Sequence, residues 1–122
     1  VHDLFDVAAG IAGKEMAQAL LEQYPPMEHP VIRTHPDTGR RSIYVNAAFT
    51  KHIVGLHRDE SDLLLHHLYR QAAIPEYQCR LRWEPGTVAL WDNRCVQHYA
   101  VSDYWPATRI MERVTICGDR PC

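Results

Sequence analysis

The residues best suited to chemistry lie in the last third of the chain, where the segment 91–99 (Trp-Asp-Asn-Arg-Cys-Val-Gln-His-Tyr) precedes Arg109 and Arg113. Neutral imidazole is the commonest protein ligand for a metal, which makes His98 a candidate ligand. A guanidinium holds a carboxylate through two parallel hydrogen bonds, and Arg109 and Arg113 share one face of a predicted strand. The pattern predicts a metal beside a carboxylate-bearing ligand. The same spacing also fits an alternative without a binding site, in which the histidine has a structural or surface role and the two arginines are exposed to solvent.

The elements that must position these side chains are predicted to be short strands. Alternating and β-branched residues favour strands over 78–83, 87–91, 96–101 and 110–116, with a turn at Glu84-Pro85-Gly86. Four short strands joined by turns are typical of a small antiparallel barrel or sandwich.

The first two thirds of the chain predict helices and one hairpin. Apolar residues at helical spacing predict a helix over 13–24. Strands over 31–34 and 42–45 flank Pro36-Asp37-Thr38-Gly39, a combination that predicts a β-hairpin. Asn46 is predicted to cap a short helix over 47–49, and Asp59 or Ser61 a longer one that ends near Gln71.

Composition narrows the class of protein. The 122 residues fit one domain, 1–122, and 46% of them are hydrophobic, which is enough for a core. The net charge is −2 and no basic stripe is visible, so no nucleic-acid partner is expected. No apolar run approaches the ~20 residues that cross a bilayer, so no membrane partner is expected. Four cysteines without a Cys-x-x-Cys pair, and no visible signal peptide, predict a cytoplasmic protein without a thiolate zinc site.

Several phrases of this sequence resemble the taurine dioxygenase-like family of iron(II)- and 2-oxoglutarate-dependent oxygenases. They occur in the family's order and run nearly to the C-terminus. The phrases are residues 29–36 (His-Pro-Val-Ile-Arg-Thr-His-Pro), 44–46 (Tyr-Val-Asn), 60–61 (Glu-Ser), 91–94 (Trp-Asp-Asn-Arg), 97–100 (Gln-His-Tyr-Ala), 113–116 (Arg-Val-Thr-Ile) and 118–119 (Gly-Asp).

The resemblance implies a role for each candidate residue. His98 corresponds to the distal histidine of the iron-binding triad, and Arg113 to the arginine that holds the far carboxylate of 2-oxoglutarate. Arg109 corresponds to a second arginine near the cosubstrate, and Phe49 to a position that lines the substrate pocket. Trp91 corresponds to an aromatic residue near the iron, although a core tryptophan is the favoured role. Asp92 and Asn93 are expected to form a turn.

The resemblance also implies a fold and an activity. The expected fold is mainly β with helical inserts (α+β), a partial double-stranded β-helix or jelly-roll barrel. Residues 1–75 would form the helical insert and hairpin region, and residues 76–122 the barrel strands that carry the site. The cofactors would be Fe(II) and 2-oxoglutarate, and the reaction hydroxylation of a small sulfonate, alkyl sulfate or related acid with release of succinate and CO2. Association into homo-oligomers is also expected.

One part of the iron site has no counterpart in the sequence. Two histidines and one carboxylate form a facial triad, and the family supplies two of these ligands from a His-x-Asp or His-x-Glu pair. One such string, His57-Arg58-Asp59, stands at a predicted helix start, where Asp59 is better explained as a cap. The chain is therefore expected to be the C-terminal part of an oxygenase. A truncated, non-catalytic binding module of the same fold is the alternative, and a cupin-like hydrolase or isomerase would leave the arginines unexplained.

Overall fold

The computed structural model describes residues 18–19 and 22–121 of the chain. The regular elements whose bounds fall within these residues are two short strands, one α-helix and one turn of 3-10 helix. They are β1 (Ile32–Thr34), β2 (Arg41–Ile43), α1 (Arg58–Gln71) and the 3-10 turn Pro75–Tyr77. The helix predicted over 13–24 lies largely outside the described residues, although residues 18, 19, 22 and 23 are helical. Within the described ranges, no helix is long and apolar enough to cross a membrane.

β1 and β2 form the hairpin that the sequence predicts. The two strands pair antiparallel, with Arg33 opposite Ser42. The connection closes where the His35 N–H donates to the Arg40 carbonyl at 2.8 Å and the Gly39 N–H donates to the His35 carbonyl at 2.9 Å. Gly39 has a φ of 67°, a left-handed conformation that glycine adopts without steric cost. The turn chemistry visible in the sequence therefore sets the strand register.

α1 confirms the longer predicted helix, but the predicted cap is wrong. The N-cap residue is His57, not Asp59 or Ser61. The Glu60 carboxylate reaches back and accepts a hydrogen bond from the His57 N–H at 3.2 Å, which satisfies one of the donors that a helix start leaves free. Asp59 lies in the first turn, where negative charge is favourable to the helix dipole.

The core lies where α1 meets the chain that leaves the hairpin. Val45 and Leu65 are its most buried apolar side chains among the described residues, each with 3% of its surface exposed. Ser61 has no exposed surface, and its Oγ accepts a hydrogen bond from the Ile53 N–H at 2.8 Å. A serine can be buried here because its hydroxyl satisfies a backbone donor.

Asn46 forms a single capped turn where the sequence predicts a short helix. Its Oδ1 accepts hydrogen bonds from the N–H groups of Ala48 at 3.1 Å and Phe49 at 2.9 Å. The Thr50 N–H donates to the Asn46 carbonyl at 3.1 Å, and no further helical turn follows. The Tyr69 hydroxyl on α1 donates to the Thr50 carbonyl at 3.3 Å, and burial raises the pKa of Tyr69. This turn therefore joins the hairpin to α1.

The four strands predicted over 78–116 are not formed in the described part of the chain, and that prediction is wrong for these residues. The turn between the first two does form, because the Thr87 N–H donates to the Glu84 carbonyl at 3.0 Å. The flanking segments have no ladder partner, and Val88 and Leu90 are each 92% exposed. A strand requires a neighbour for its N–H and C=O groups, whereas a turn closes on itself. The described residues alone therefore do not build a mainly β chain or a partial double-stranded β-helix.

Candidate functional site

His98, the predicted metal ligand, lies on the surface with its ring against an indole. The centroids of the His98 and Trp91 rings are 4.9 Å apart, with planes inclined by 50°. The Trp91 Nε1–H donates to Asn93 Oδ1 at 2.8 Å, which orients the indole. Within the described ranges, no hydrogen bond or ion pair engages the ring nitrogens of His98, so both remain open to a ligand.

Arg109 and Arg113 are both exposed, and they do not lie on a shared strand face, because no strand forms over 110–116. The Arg109 guanidinium carbon lies 5.4 Å from the centroid of the Tyr104 ring, a cation–π contact. Arg113 makes no ion pair within residues 22–121 and can accept an anion. The structure does not bring the two arginines into contact with His98.

Phe49, the predicted substrate contact, has 37% of its surface exposed in the turn capped by Asn46. A cavity of about 200 Å³ lies beside this turn, with Glu28, His29 and His52 among its lining residues. Burial lowers the pKa of His29, and the nearby positive charge of Arg120 lowers it further. Neither Phe49 nor the predicted iron and 2-oxoglutarate contacts line this cavity.

A network of charged groups that sequence reasoning missed joins the hairpin turn to the segment before His98. His35 Nε2 lies 3.1 Å from Asp92 Oδ2. Arg94 grips the same carboxylate, with Nε 2.9 Å from Oδ1 and Nη2 2.7 Å from Oδ2. Arg94 Nη1 also lies 2.9 Å from the Asp37 carboxylate. We call these four residues the His35–Asp92 network.

The expected turn at Asp92 is confirmed, and the same side chain serves both the turn and the network. The Arg94 N–H donates to Asp92 Oδ1 at 2.9 Å, and the Val96 N–H donates to the Asp92 carbonyl at 3.0 Å. Hydrogen bonds from Arg94 and then from His35 hold the pKa of Asp92 well below its usual range. The pKa of Arg94 is raised in turn, chiefly by its hydrogen bond to Asp92. Both groups are therefore charged at neutral pH.

The same region contains three potential ligand atoms, from His35, Asp92 and Cys95, within 4.8 Å of one another. The chemistry of these atoms does not suit a cation. His35 Nδ1 accepts hydrogen bonds from two backbone N–H groups of the hairpin turn, at 3.2 and 3.3 Å, so Nε2 carries the proton and has no free lone pair. Arg94 already occupies both oxygens of Asp92, and its positive charge would repel a metal.

Comparison with known proteins gives this arrangement its context. Residues 1–115 match the model of the family described as taurine catabolism dioxygenase TauD, TfdA family. An alkylsulfatase of Acinetobacter baylyi is 41% identical over 92 residues, covering 75% of this chain and 29% of that protein. An alpha-ketoglutarate-dependent sulfate ester dioxygenase of Pseudomonas putida is 45% identical over 94 residues, covering 77% of this chain and 31% of that protein.

A third relative extends the similarity to yeast. An alpha-ketoglutarate-dependent sulfonate dioxygenase of Saccharomyces cerevisiae is 44% identical over 95 residues, covering 76% of this chain and 23% of that protein. The matched region thus spans between 23% and 31% of the length of these curated relatives. Dioxygenases of the matched family have a jelly-roll fold and use Fe(II) and 2-oxoglutarate (alpha-ketoglutarate). Because the family match extends over residues 1–115, this chain belongs to the taurine catabolism dioxygenase TauD, TfdA family.

Proposed function

We propose that this chain supplies one part of the active site of an Fe(II)- and 2-oxoglutarate-dependent dioxygenase. The observation that carries the proposal is the family match, which includes His98, Arg109 and Arg113. His98 has an exposed ring with both nitrogens open to a ligand, as a metal ligand requires. Arg113 has a guanidinium free of carboxylate partners within residues 22–121, as a cosubstrate clamp requires.

The residues of this chain would divide the work of binding between them. His98 would give one imidazole lone pair to Fe(II), and Arg113 would hold the far carboxylate of 2-oxoglutarate through paired hydrogen bonds. Arg109 would add positive charge beside the cosubstrate, and Phe49 would line the substrate pocket. Trp91 would keep the His98 ring in one orientation through their contact at 4.9 Å. When bound, Fe(II) and 2-oxoglutarate would supply the oxidising chemistry together with O2, with one oxygen atom entering the substrate as a hydroxyl group and the other entering the succinate that 2-oxoglutarate becomes on losing CO2.

The other two ligands of a 2-His-1-carboxylate triad, a second histidine and a carboxylate, would come from residues other than His98, Arg109, Arg113 and Phe49. His57-Arg58-Asp59 does not fit that role, because His57 is the N-cap of α1 and Asp59 lies in its first turn. His35-Pro36-Asp37 does not fit it either, because both ring nitrogens of His35 and the Asp37 carboxylate are engaged within the hairpin turn and the His35–Asp92 network. Strands from the rest of the protein, or from a second copy of the chain, would also complete the jelly roll over residues 76–122. The apolar side chains exposed in this region, such as Val88 and Leu90, support that arrangement.

The substrate that we propose is a small organic sulfate ester or sulfonate. The basis is that relatives from two organisms act, by name, on a sulfate ester and on a sulfonate. The test is anaerobic titration of the full-length protein with Fe(II) and 2-oxoglutarate, then admission of oxygen with a panel of alkyl sulfates and alkanesulfonates. We expect succinate release that depends on both Fe(II) and one of these substrates. Absence of Fe(II) binding in the presence of 2-oxoglutarate would contradict the proposal.

A non-catalytic binding module of the same fold is the second candidate. The observation that favours it is the single iron ligand among the residues assigned here. Metal analysis of the full-length protein separates the two functions, because the enzyme binds one Fe(II) per chain with 2-oxoglutarate, whereas the module binds the carboxylate without iron.

A further inference from the structure

The His35–Asp92 network connects two parts of the chain that are 57 residues apart. On the hairpin side, the Asp37 and Thr38 N–H groups hold the His35 ring through Nδ1 and point Nε2 at Asp92. On the other side, Arg94 holds the Asp92 carboxylate through both oxygens. The network therefore fixes the direction in which the chain leaves Trp91.

A second contact joins the hairpin to the same segment, directly before His98. Gln97 Nε2 donates to the Val45 carbonyl at 2.8 Å, and Val45 is one of the two most buried apolar side chains described. This hydrogen bond anchors the segment to the core. The two attachments lie at Asp92 and Gln97, so they bracket the residues between them.

The two residues that bind the hairpin, Asp92 and Gln97, are each adjacent in sequence to one member of the ring pair formed by Trp91 and His98. Asp92 follows Trp91, Gln97 precedes His98, and the rings of Trp91 and His98 lie 4.9 Å apart. Because the hairpin holds both ends of the segment, it also sets the distance between the two rings. A displacement of Asp92 would move the indole away from the imidazole.

We propose that the His35–Asp92 network positions His98 for metal binding, with His35, Asp92 and Arg94 as positioning residues that touch neither metal nor cosubstrate. This inference rests on the function proposed above, in which His98 is an iron ligand. Removing a group that orients a metal ligand typically weakens metal binding by about 10- to 100-fold. Since this network acts on His98 through the chain rather than by direct contact, we expect the lower end, about tenfold.

Two pairs of variants separate positioning from folding. Asp92→Asn keeps an Oδ1 that accepts from the Arg94 N–H, and so keeps the turn, but loses the carboxylate that His35 and Arg94 hold. His35→Gln retains an amide donor near the place of Nε2, whereas His35→Asn retains only an acceptor near the place of Nδ1. Asp62→Asn is the control, because it breaks an exposed ion pair to Arg58 on α1.

The experiment measures the Fe(II) dissociation constant of the full-length protein with 2-oxoglutarate, by anaerobic titration of the chelate's visible absorption. The melting temperature of each metal-free variant is measured in parallel. We expect Asp92→Asn and His35→Asn to raise the Fe(II) dissociation constant about tenfold. We expect His35→Gln and Asp62→Asn to bind Fe(II) and to melt like the wild type. Asp92→Asn should melt lower at pH 7, because it loses the charged contacts of Asp92. Leu65→Ala, which is destabilised in the core away from the network, should keep its Fe(II) affinity and so separates a loss of stability from a loss of positioning.

Two results would overturn the inference: Fe(II) affinity unchanged in both Asp92→Asn and His35→Asn, or losses of affinity that merely follow losses of melting temperature. The variant His98→Ala separates this failure from failure of the proposed function. If His98→Ala abolishes Fe(II) binding while the network variants retain it, only the positioning role is refuted. If His98→Ala itself binds Fe(II) normally, the proposed function is refuted as well.

Discussion

Ser61 offers the most quantitative test of the fold, because one fully buried hydroxyl links α1 to the chain that precedes it. In Ser61→Ala the Ile53 N–H loses its acceptor at 2.8 Å, and water cannot replace the hydroxyl at a site with no exposed surface. A buried donor left unsatisfied costs about 1–3 kcal/mol. Alanine offsets part of this cost, because it is the better helix former by a few tenths of a kcal/mol. The free energy of unfolding should therefore fall by about 1–2 kcal/mol.

Urea unfolding followed by circular dichroism measures this loss. With a denaturant dependence of about 1–3 kcal/mol per molar urea, the midpoint should move down by roughly 0.3–2 M. His67→Ala is the matched control, since it makes a similar gain in helix propensity at an exposed position of α1. If Ser61→Ala shifts the midpoint no further than His67→Ala, the hydroxyl does not hold α1 and the reasoning fails.

Three further predictions concern the core, the helix start and acid stability. Leu65→Ala should lower the free energy of unfolding by at least ~2 kcal/mol, because Leu65 is buried. Leu63→Ala should change it by less than ~0.5 kcal/mol, because Leu63 is 74% exposed. Equal effects of the two variants in urea unfolding would contradict the assignment of Leu65 to the core. Glu60→Gln should lower the free energy of unfolding by about 0.5–1 kcal/mol in the same assay, because the neutral amide accepts a weaker hydrogen bond from the His57 N–H. High salt should reduce the difference in stability between this variant and the wild type. Because the folded pKa of Asp92 is depressed, its contribution to stability is present above its unfolded pKa of about 3.9 and is lost as the pH falls towards the folded value. Asp92→Asn should therefore be less stable than the wild type at pH 7, and this difference should shrink in melting scans as the pH falls below about 3.9. A difference that does not vary with pH would contradict the charge argument.

Local signals account for what the sequence predicts correctly. The hairpin and its register follow from the Pro36–Gly39 turn, and the length of α1 follows from its apolar spacing and the Pro75 that comes after it. The predicted N-cap residue is wrong because the Glu60 carboxylate accepts a hydrogen bond from the backbone N–H three positions before it, which makes His57 the N-cap. Each of these features depends on groups within a few residues of one another.

Features that depend on distant groups could not be predicted from one sequence. The segments over 78–116 have the composition of strands, but a strand forms only where a neighbouring chain accepts its hydrogen bonds, and composition does not state where that neighbour lies. His35 and Asp92 belong to two of the phrases that carry the family resemblance. Nothing in their spacing shows that the two side chains meet at 3.1 Å. The family match, rather than the strand pattern, is what supports the roles of His98 and Arg113.

The central claim is that His98 binds Fe(II) while Arg113 holds the 2-oxoglutarate beside it. Anaerobic titration of the full-length protein with 2-oxoglutarate in the presence of Fe(II) tests it most directly. The Fe(II)–2-oxoglutarate absorption should be absent in His98→Ala, and the 2-oxoglutarate dissociation constant should rise about 10- to 150-fold in Arg113→Ala, which corresponds to a lost charged hydrogen bond of about 1.5–3 kcal/mol. A wild-type titration curve from either variant would contradict the claim.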